Sequence, residues 1–528
     1  MGQPMLRRSR GLKDLALAIV SAILLALSFP KFNLEFLAWF AFIPLFFSLK
    51  EASLGRAFFL GFACGLIFWD ITVYWLVHVT MAGAIVLILY LSLYFGVFGL
   101  LVSFFLNQAK VKVQVSSPAV RPAEPRIIFF IPAIWVVLEY ARSHLLTGFP
   151  WALLGYSQYL NLSTIQIADT FGVWGVSFLL VMVNIALYSL IKEKSQAVKR
   201  IKYLIAPAVI LVFVFGYGFF RLQQAGEPRN ASKRLIKISV IQGNIPQELK
   251  WYPMARQEIM EKYLMLSRRA AQEKPDLIVW PEAAVPVILE KEPAYYEMVA
   301  NLAKQVQSPV LFGAVTSRGD NYYNSALMVS QDKEITGCYN KLHLVPFGEY
   351  IPLRTILPFL ETIVPIGEVK PGKEYTIFSV NLAGVGHSLR SKFGVLICFE
   401  DVFPELSRQF VKKGAQFLVN ITNDAWYKQT FASYQHLQAS VFRAVENRVS
   451  LLRSANTGVT GFISPEGKVI ALVKDASARE LFVDGYKTWS IPAKKGAQTI
   501  YTRFGDWFIM SVCFLIILIS LISRRSNV

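Results

Sequence analysis

Apolar positions are arranged in two ways along this 528-residue chain. From about residue 12 to residue 222, and again near the C-terminus, they form long runs; between these regions short apolar runs alternate with polar ones. A hydrocarbon layer about 30 Å thick needs roughly 20 apolar helical residues. The long runs therefore predict spans at Leu15–Phe29, Phe36–Leu49, Ala57–Val77, Ala84–Leu106, Ile127–Ala141, Val173–Ile191, Tyr203–Phe219 and Trp507–Ile522. The second and fifth are short for a crossing. Arg7, Arg8 and Arg10 before the first run also fit a secretory leader, but that run is long and further spans follow it, which favours a retained helix. The expected organisation is a membrane domain over residues 1–222 with seven spans, an outer domain over 233–500, and a last membrane helix over 506–523.

The short runs of the middle region read differently. Strands are expected at Ile236–Gln242, Leu277–Trp280, Val310–Val315, Ser325–Ser330, Gly337–Leu342, Phe393–Cys398, Phe417–Thr422, Ser450–Ser454 and Thr460–Ser464. Helical periodicity covers Met254–Lys274, Tyr295–Gln307, Pro404–Lys413 and Ala432–Asn447, and Gln223–Arg234 reads as a linker. This alternation indicates α/β layering, with sheets covered by helices. Leu353–Ile366 breaks the pattern: it is apolar, interrupted by proline and too short to span. It reads either as a core segment or as a hydrophobic flap near the bilayer surface.

Charge adds an orientation. Lys and Arg precede span one (Arg7, Arg8, Arg10, Lys13) and lie between spans two and three (Lys50, Arg56). They recur between four and five (Lys110, Lys112, Arg121, Arg126) and between six and seven (Lys192, Lys194, Lys199, Arg200, Lys202), and Arg524 and Arg525 follow the last span. The alternate connections are nearly bare. With eight spans, the excess of positive charge in cytoplasmic loops puts both termini in the cytoplasm and Arg221–Asp506 on the extracytoplasmic side. These loops supply much of the net charge of +19. No single-face basic motif appears, so nucleic acid is not an expected partner.

Four cysteines, Cys64, Cys338, Cys398 and Cys513, show no metal-ligand or disulfide spacing. Cys64 and Cys513 sit in apolar spans as small hydrophobes. Cys338 and Cys398 share the outer domain and are expected to be free thiols, since a bond between them would disable a nucleophile. Three segments tie a reactive side chain to a buried strand. Leu277–Trp280 and Pro281 lead to Glu282; Lys341 follows Tyr339 and Asn340; Cys398 ends Gly394–Ile397 and precedes Glu400, Asp401 and the helix from Pro404. A helix N-terminus there would favour a thiolate, and an ammonium on a buried strand calls for a carboxylate or a developing anion nearby. Glu282 as general base, Lys341 as oxyanion stabiliser and Cys398 as covalent carrier make a workable acyl-transfer set. His343 can be read as a partner for Cys398, but a packing or hydrogen-bonding role fits better, because Glu282 and Lys341 already fill the required roles.

The motifs WPE at Glu282, NKLHLVPFGEY from Asn340 to Tyr350 and ICFED around Cys398 resemble the nitrilase superfamily of carbon–nitrogen hydrolases. With the spans on either side they resemble its membrane branch, the apolipoprotein N-acyltransferase family. Phe149-Pro150-Trp151 with Gly155-Tyr156, the run Gln242–Gln247, Thr422–Trp426, Arg443–Arg448 and Asn456-Thr457-Gly458 extend that resemblance over nearly the whole chain. It implies a polytopic α-helical membrane domain of about eight spans plus an α/β nitrilase-like α-β-β-α sandwich facing the periplasm, in a bacterial inner membrane. It also implies the last step of bacterial lipoprotein maturation. An acyl chain passes from a phospholipid, usually phosphatidylethanolamine, to the cysteine, and then to the α-amino group of the diacylglyceryl-cysteine of an apolipoprotein. Glu282, Lys341 and Cys398 match the family's triad, Glu349 its second essential glutamate, and Trp251 and Glu400 two further required positions. Phe399 departs from a frequent tyrosine, keeping the ring and losing the hydroxyl. No cofactor or metal is implied.

Two other classes remain to be separated from this one. A membrane-tethered amidase of the same fold would pass the acyl group to water, although seven spans exceed what an anchor needs. A transporter with an outer domain would place ionisable groups at mid-membrane, and Asp70 and Glu139 are candidates that a helix-end or interhelical hydrogen bond explains equally well. The loop His144–Gly172 fits a substrate-headgroup neighbour or, better, an interfacial aromatic belt.

Overall fold

A computed structural model describes residues 2–115, 124–192, 197–226, 235–346, 348–350, 369–381, 390–493 and 497–525. The segment Leu353–Ile366 lies outside the described residues. The chain forms two compact units, Met1–Gln224 with Asp506–Val528, and Ala225–Gly505.

In the first unit, five helices among the described residues are long and apolar enough to cross a membrane: Leu54–His78, Met81–Asn107, Ile127–Thr147, Ala168–Lys192 and Tyr203–Gln224. Glu35–Leu49 and Trp507–Leu518 are shorter apolar helices. The expected span Phe36–Leu49 is not one continuous helix. A 3-10 turn at Glu35–Trp39 is followed by a break and then by the α-helix Ile43–Leu49, which carries Pro44 in its first turn. Asn184 repairs the break: its Oδ1 accepts from the Phe42 N–H at 2.8 Å and its Nδ2 donates to the Ala38 carbonyl at 2.8 Å. Broken helices are tolerated at membrane depth only when neighbouring side chains satisfy the freed backbone in this way.

Part of the segment from His144 to Gly172 is packed inside the unit. Trp151 and Tyr156 are buried, and Trp151 packs on Trp75 with centroids 5.0 Å apart. Arg142 donates to the Phe149 and Trp151 carbonyls at 2.7 and 2.9 Å, while Glu139 accepts from the Leu154 N–H at 2.7 Å. Trp151 and Tyr156 are thus held by protein contacts. Glu139 holds a loop, as a structural carboxylate does, and Asp70 is exposed.

The second unit contains two sheets. Its strands are β1 (Leu235–Gln242), β2 (Leu277–Val279), β3 (Val285–Ile288), β4 (Val310–Arg318), β5 (Asn321–Val329), β6 (Ile335–Asn340) and β7 (Ile377–Asn381). β8 (Arg390–Ile397), β9 (Phe417–Thr422), β10 (Ser450–Ala455), β11 (Gly461–Ile463), β12 (Val469–Leu472) and β13 (Gly485–Pro492) follow. One sheet runs β13-β1-β2-β4-β5-β6 with β3 on β4; the other runs β12-β11-β10-β9-β8-β7. β1, β2 and β4 are mutually parallel neighbours, as are β8, β9 and β10. Strands of this type are covered on both faces and read as continuous apolar runs, which is why these were evident in the sequence.

Helices Arg256–Ala271 and Pro293–Val306 cover the first sheet through Met260, Tyr263, Val299 and Leu302, packed with Trp280 and Phe312. Each such side chain contributes about 1.5–3 kcal/mol on burial. Helices Pro404–Lys412 and Ala432–Asn447 accompany the second sheet. Between the sheets, Ser454 Oγ on β10 donates to the Ile241 and Val279 carbonyls at 2.8 and 3.1 Å. The result is an α-β-β-α sandwich.

Gly313 on β4 shows how closely the sheet backs the candidate site. A Cβ there would meet Ala283 N at 2.5 Å, Pro281 O at 2.6 Å and Glu282 Cα at 2.7 Å, all of them backbone. Gly313→Ala is expected to cost about 1–3 kcal/mol through overpacking and to lower turnover by displacing Glu282. Melting temperature and transfer rate of the full-length variant check this.

Candidate active site

The chemistry-bearing residues follow strand ends. Glu282 lies three residues beyond β2, Lys341 directly after β6 and Cys398 directly after β8. Lys341 was expected within its strand; it sits one residue past the end, and its N–H donates to the Asn324 carbonyl at 2.9 Å. Two site residues occupy the left-handed region, Cys398 at φ 54° and Ala283 at φ 44°. A non-glycine residue is held there only where its surroundings over-determine it, and such strain clusters at functional sites.

Lys341 is buried between two carboxylates. Its Nζ lies 2.8 Å from Glu349 Oε2, 2.9 Å from Glu349 Oε1 and 3.6 Å from Glu282 Oε1. Asn324 Nδ2 bridges the same pair, donating to Glu282 Oε1 at 2.7 Å and Glu349 Oε1 at 2.8 Å. The Val345 N–H fixes the other Glu349 oxygen at 2.8 Å. Burial alone would lower the Lys341 pKa, but Glu349 and Glu282 outweigh it and hold the ammonium above its ordinary value. This lysine stays charged.

Cys398 is buried, and its thiol senses Glu282 and Lys341 electrostatically. Burial, then Glu282, push the thiol pKa up, against the opposing pull of Lys341. The expectation that a helix N-terminus would favour a thiolate is thus corrected: Cys398 opens a short 3-10 turn, Cys398–Val402, and desolvation dominates. A protonated thiol needs a base before it can attack, and Glu282 is the carboxylate with the largest electrostatic effect on it.

Glu400 braces the turn that carries Cys398. It is fully buried and accepts from the Ile397 N–H at 2.7 Å, the Leu342 N–H at 2.7 Å, the His343 N–H at 3.1 Å and the Tyr339 hydroxyl at 2.8 Å. One carboxylate thereby ties the Cys398 strand end to the chain around Lys341. Burial raises its pKa to about 7 in spite of those donors. Beneath Cys398 lies a further ionic group. His436 Nε2 meets Asp401 Oδ1 at 2.7 Å and the Cys398 carbonyl at 3.2 Å, and its Nδ1 meets Asp424 Oδ1 at 3.0 Å. Arg453 donates to Asp401 Oδ2 at 2.9 Å, and Ser440 donates to the same oxygen. Asn420 Nδ2 also donates to the Cys398 carbonyl, at 3.0 Å.

Phe399 is buried against Phe403, edge to face at 5.1 Å. His343 lies on the Phe403 ring at 3.8 Å between centroids, in keeping with a packing role. Trp251 is 44% exposed and stands apart from the buried group, although the buried Lys250 precedes it. Cys338 bonds Asn340 Oδ1 through Sγ at 3.6 Å. Among the described residues no group of three or more His, Cys, Asp or Glu side chains could hold a metal ion.

Sequence reasoning missed Asn324, His436, Arg453 and Lys250. Asn324 carried a signal, as a polar residue within the aromatic and apolar strand Asn321–Val329. Arg453 carried the same kind of signal, as a charged residue within the strand Ser450–Ala455, whereas His436 carried none, because only the tertiary fold brings it to Asp401.

Comparison with known proteins agrees with this architecture. The family model described as apolipoprotein N-acyltransferase N-terminal domain matches residues 21–186, and the carbon-nitrogen hydrolase model matches residues 237–483. An apolipoprotein N-acyltransferase of Geobacter metallireducens is 37% identical, covering 98% of this chain and 96% of that protein. Those of Methylococcus capsulatus and Pasteurella multocida are 33% and 29% identical, covering 98% and 96% of this chain and 97% and 96% of theirs. With similarity at this level from end to end, the chain belongs to the apolipoprotein N-acyltransferase family.

Proposed function

We propose that this protein transfers an acyl chain from a phospholipid, by way of a Cys398 thioester, to the α-amino group of the N-terminal diacylglyceryl-cysteine of apolipoproteins. The observation that carries the reading is the buried Glu282–Lys341–Glu349 cluster beside the Cys398 thiol, in a chain whose other unit holds, among the described residues, five helices fit to cross a membrane. A lipid donor and a lipid-anchored acceptor are then confined to the same surface as the enzyme, which raises their effective concentration.

In the first half-reaction Glu282 takes the Cys398 proton and the thiolate attacks the donor's ester carbonyl. Lys341 stabilises the oxyanion. Collapse expels the lysophospholipid alkoxide, which recovers the proton from Glu282. In the second, the acceptor amine attacks the thioester, Glu282 takes the amine proton, and the departing thiolate is reprotonated. Glu349 and Asn324 hold Lys341 and Glu282 in register. The spacing of positive residues supports an inner-membrane protein with both termini cytoplasmic and Arg221–Asp506 on the periplasmic side. Trp251 and Phe399 belong to the substrate surroundings in this reading.

Transfer and hydrolysis are separated by their products. Full-length protein in mixed micelles, given phosphatidylethanolamine and a diacylglyceryl-cysteine peptide, is expected to yield N-acylated peptide in large excess over free fatty acid. Fatty acid with no acylated peptide would make it a lipid hydrolase instead.

A further inference from the structure

Behind Glu282 the structure holds a second buried ammonium. Lys250 is only 3% exposed, and its Nζ donates to the Glu282 main-chain carbonyl at 2.8 Å. That carbonyl precedes Ala283 in the left-handed conformation, so the turn directs it out of the strand ladder and toward the lysine. Lys250 is itself fixed from the other sheet. Its N–H bonds the Gln247 carbonyl at 3.4 Å, and Gln247 Oε1 accepts from Asn423 at 2.7 Å. Asn423 in turn accepts from Asn456, which clasps the Ile245 backbone. A hydrogen bond to one carbonyl does not by itself require a lysine, since burying an ammonium is costly unless negative charge faces it. Here the facing charges are the Glu282 carboxylate and, on ionisation, the Cys398 thiol.

We propose that Lys250 is a positioning residue of the acyl-transfer site, holding the Glu282 main chain and supplying the second positive charge beside which Cys398 loses its proton. The charges support this. The groups set around the thiol are Glu282 after β2, Lys341 after β6 with its partner Glu349, and Asp424 and Tyr427 after β9. Asp424 is already matched by His436 and Arg453. Without Lys250, one ammonium would face Glu282 and Glu349, and a thiolate would add a third negative charge. With it, the two carboxylates are balanced before the thiol ionises. Burial lowers the Lys250 pKa to about 8, with Glu282 and then Cys398 pulling the other way, so the group is mainly charged at neutral pH and loses its proton above it.

The inference rests on the proposed roles of Cys398 and Glu282, but its test needs neither phospholipid nor apolipoprotein. The rate of Cys398 alkylation by iodoacetamide is followed against pH by peptide mass spectrometry in the full-length protein. Lys250→Met removes charge and donor; Lys250→Gln keeps a donor for the carbonyl and removes the charge. Both variants are expected to react about tenfold more slowly at pH 7, the change that one pK unit represents, and the difference from the parent is expected to close above about pH 8 as Lys250 loses its own charge. A purely structural lysine would leave the Lys250→Gln profile superimposed on the parent's, and that result overturns the proposal.

Discussion

Cys398→Ala abolishes acyl transfer, with an expected fall on the order of 10^5-fold or more, the scale seen when a covalent nucleophile is removed from an otherwise intact site. The substitution removes one sulfur atom from a wall that Glu400, Asn420 and His436 position through the backbone, so the fold is kept. Cys398→Ser separates bulk from nucleophilicity. The hydroxyl fits the same space but is a far weaker acid than a thiol already pushed up by burial and by Glu282. Serine is therefore expected to fall with alanine. Both variants should melt within about 2 °C of the parent, since a near-isosteric change costs little. Retention of more than a tenth of parental turnover in Cys398→Ala would remove the residue from the chemistry.

The largest stability effect is expected at Arg453. This side chain is 1% exposed, donates to Asp401 and lies 3.6 Å from Asp424, while His436 stands between the same two carboxylates. Two cations and two anions balance in a fully buried site. Arg453→Met leaves two carboxylates facing one imidazolium in the interior. Breaking one partner out of a buried ionic group costs about 3–5 kcal/mol. Total stability is about 5–15 kcal/mol, so a fall in melting temperature on the order of 10 °C follows. A variant that melts with the parent would show the network to be dispensable.

The same network gives a pH signature. Burial opposes the charge on His436, but Asp401 and Asp424 win and raise its pKa from 6.5 to about 9. A cation whose folded pKa is raised contributes stability that is complete below 6.5 and lost as pH rises through about 9. Glu400, raised by burial from 4.5 to about 7, adds a loss over that lower range. Lys250, lowered by burial to about 8, offsets part of the loss only above that value. The parent should therefore melt at a lower temperature at pH 8 than at pH 6, and His436→Asn should flatten the upper part of that slope. Equal melting temperatures at both values in the parent would contradict it.

What was legible in the sequence has a common physical cause. Parallel strands buried on both faces appear as apolar runs, so the segments ending near Glu282 and Cys398 stood out, and the motifs at their ends carried the resemblance to a family the chain belongs to. The strand Gly485–Pro492 was missed because its antiparallel partner, Leu235–Gln242, is about 250 residues away and no local pattern links them. The break at Phe40–Phe42 was missed for a related reason: composition reports apolarity, whereas the break depends on Asn184 from a distant helix. The helix-terminus argument for a Cys398 thiolate failed because sequence shows the polar neighbours but not the depth of burial that outweighs them.

The covalent mechanism meets its most direct test in one measurement. Purified full-length protein is incubated with phosphatidylethanolamine and no acceptor, and the peptide containing Cys398 is examined by mass spectrometry. A hydroxylamine-labile acyl adduct on Cys398 is expected, absent in Cys398→Ala and scarce in Glu282→Gln. Transfer activity on adding acceptor, from protein that carries no adduct on Cys398 beforehand, would contradict it.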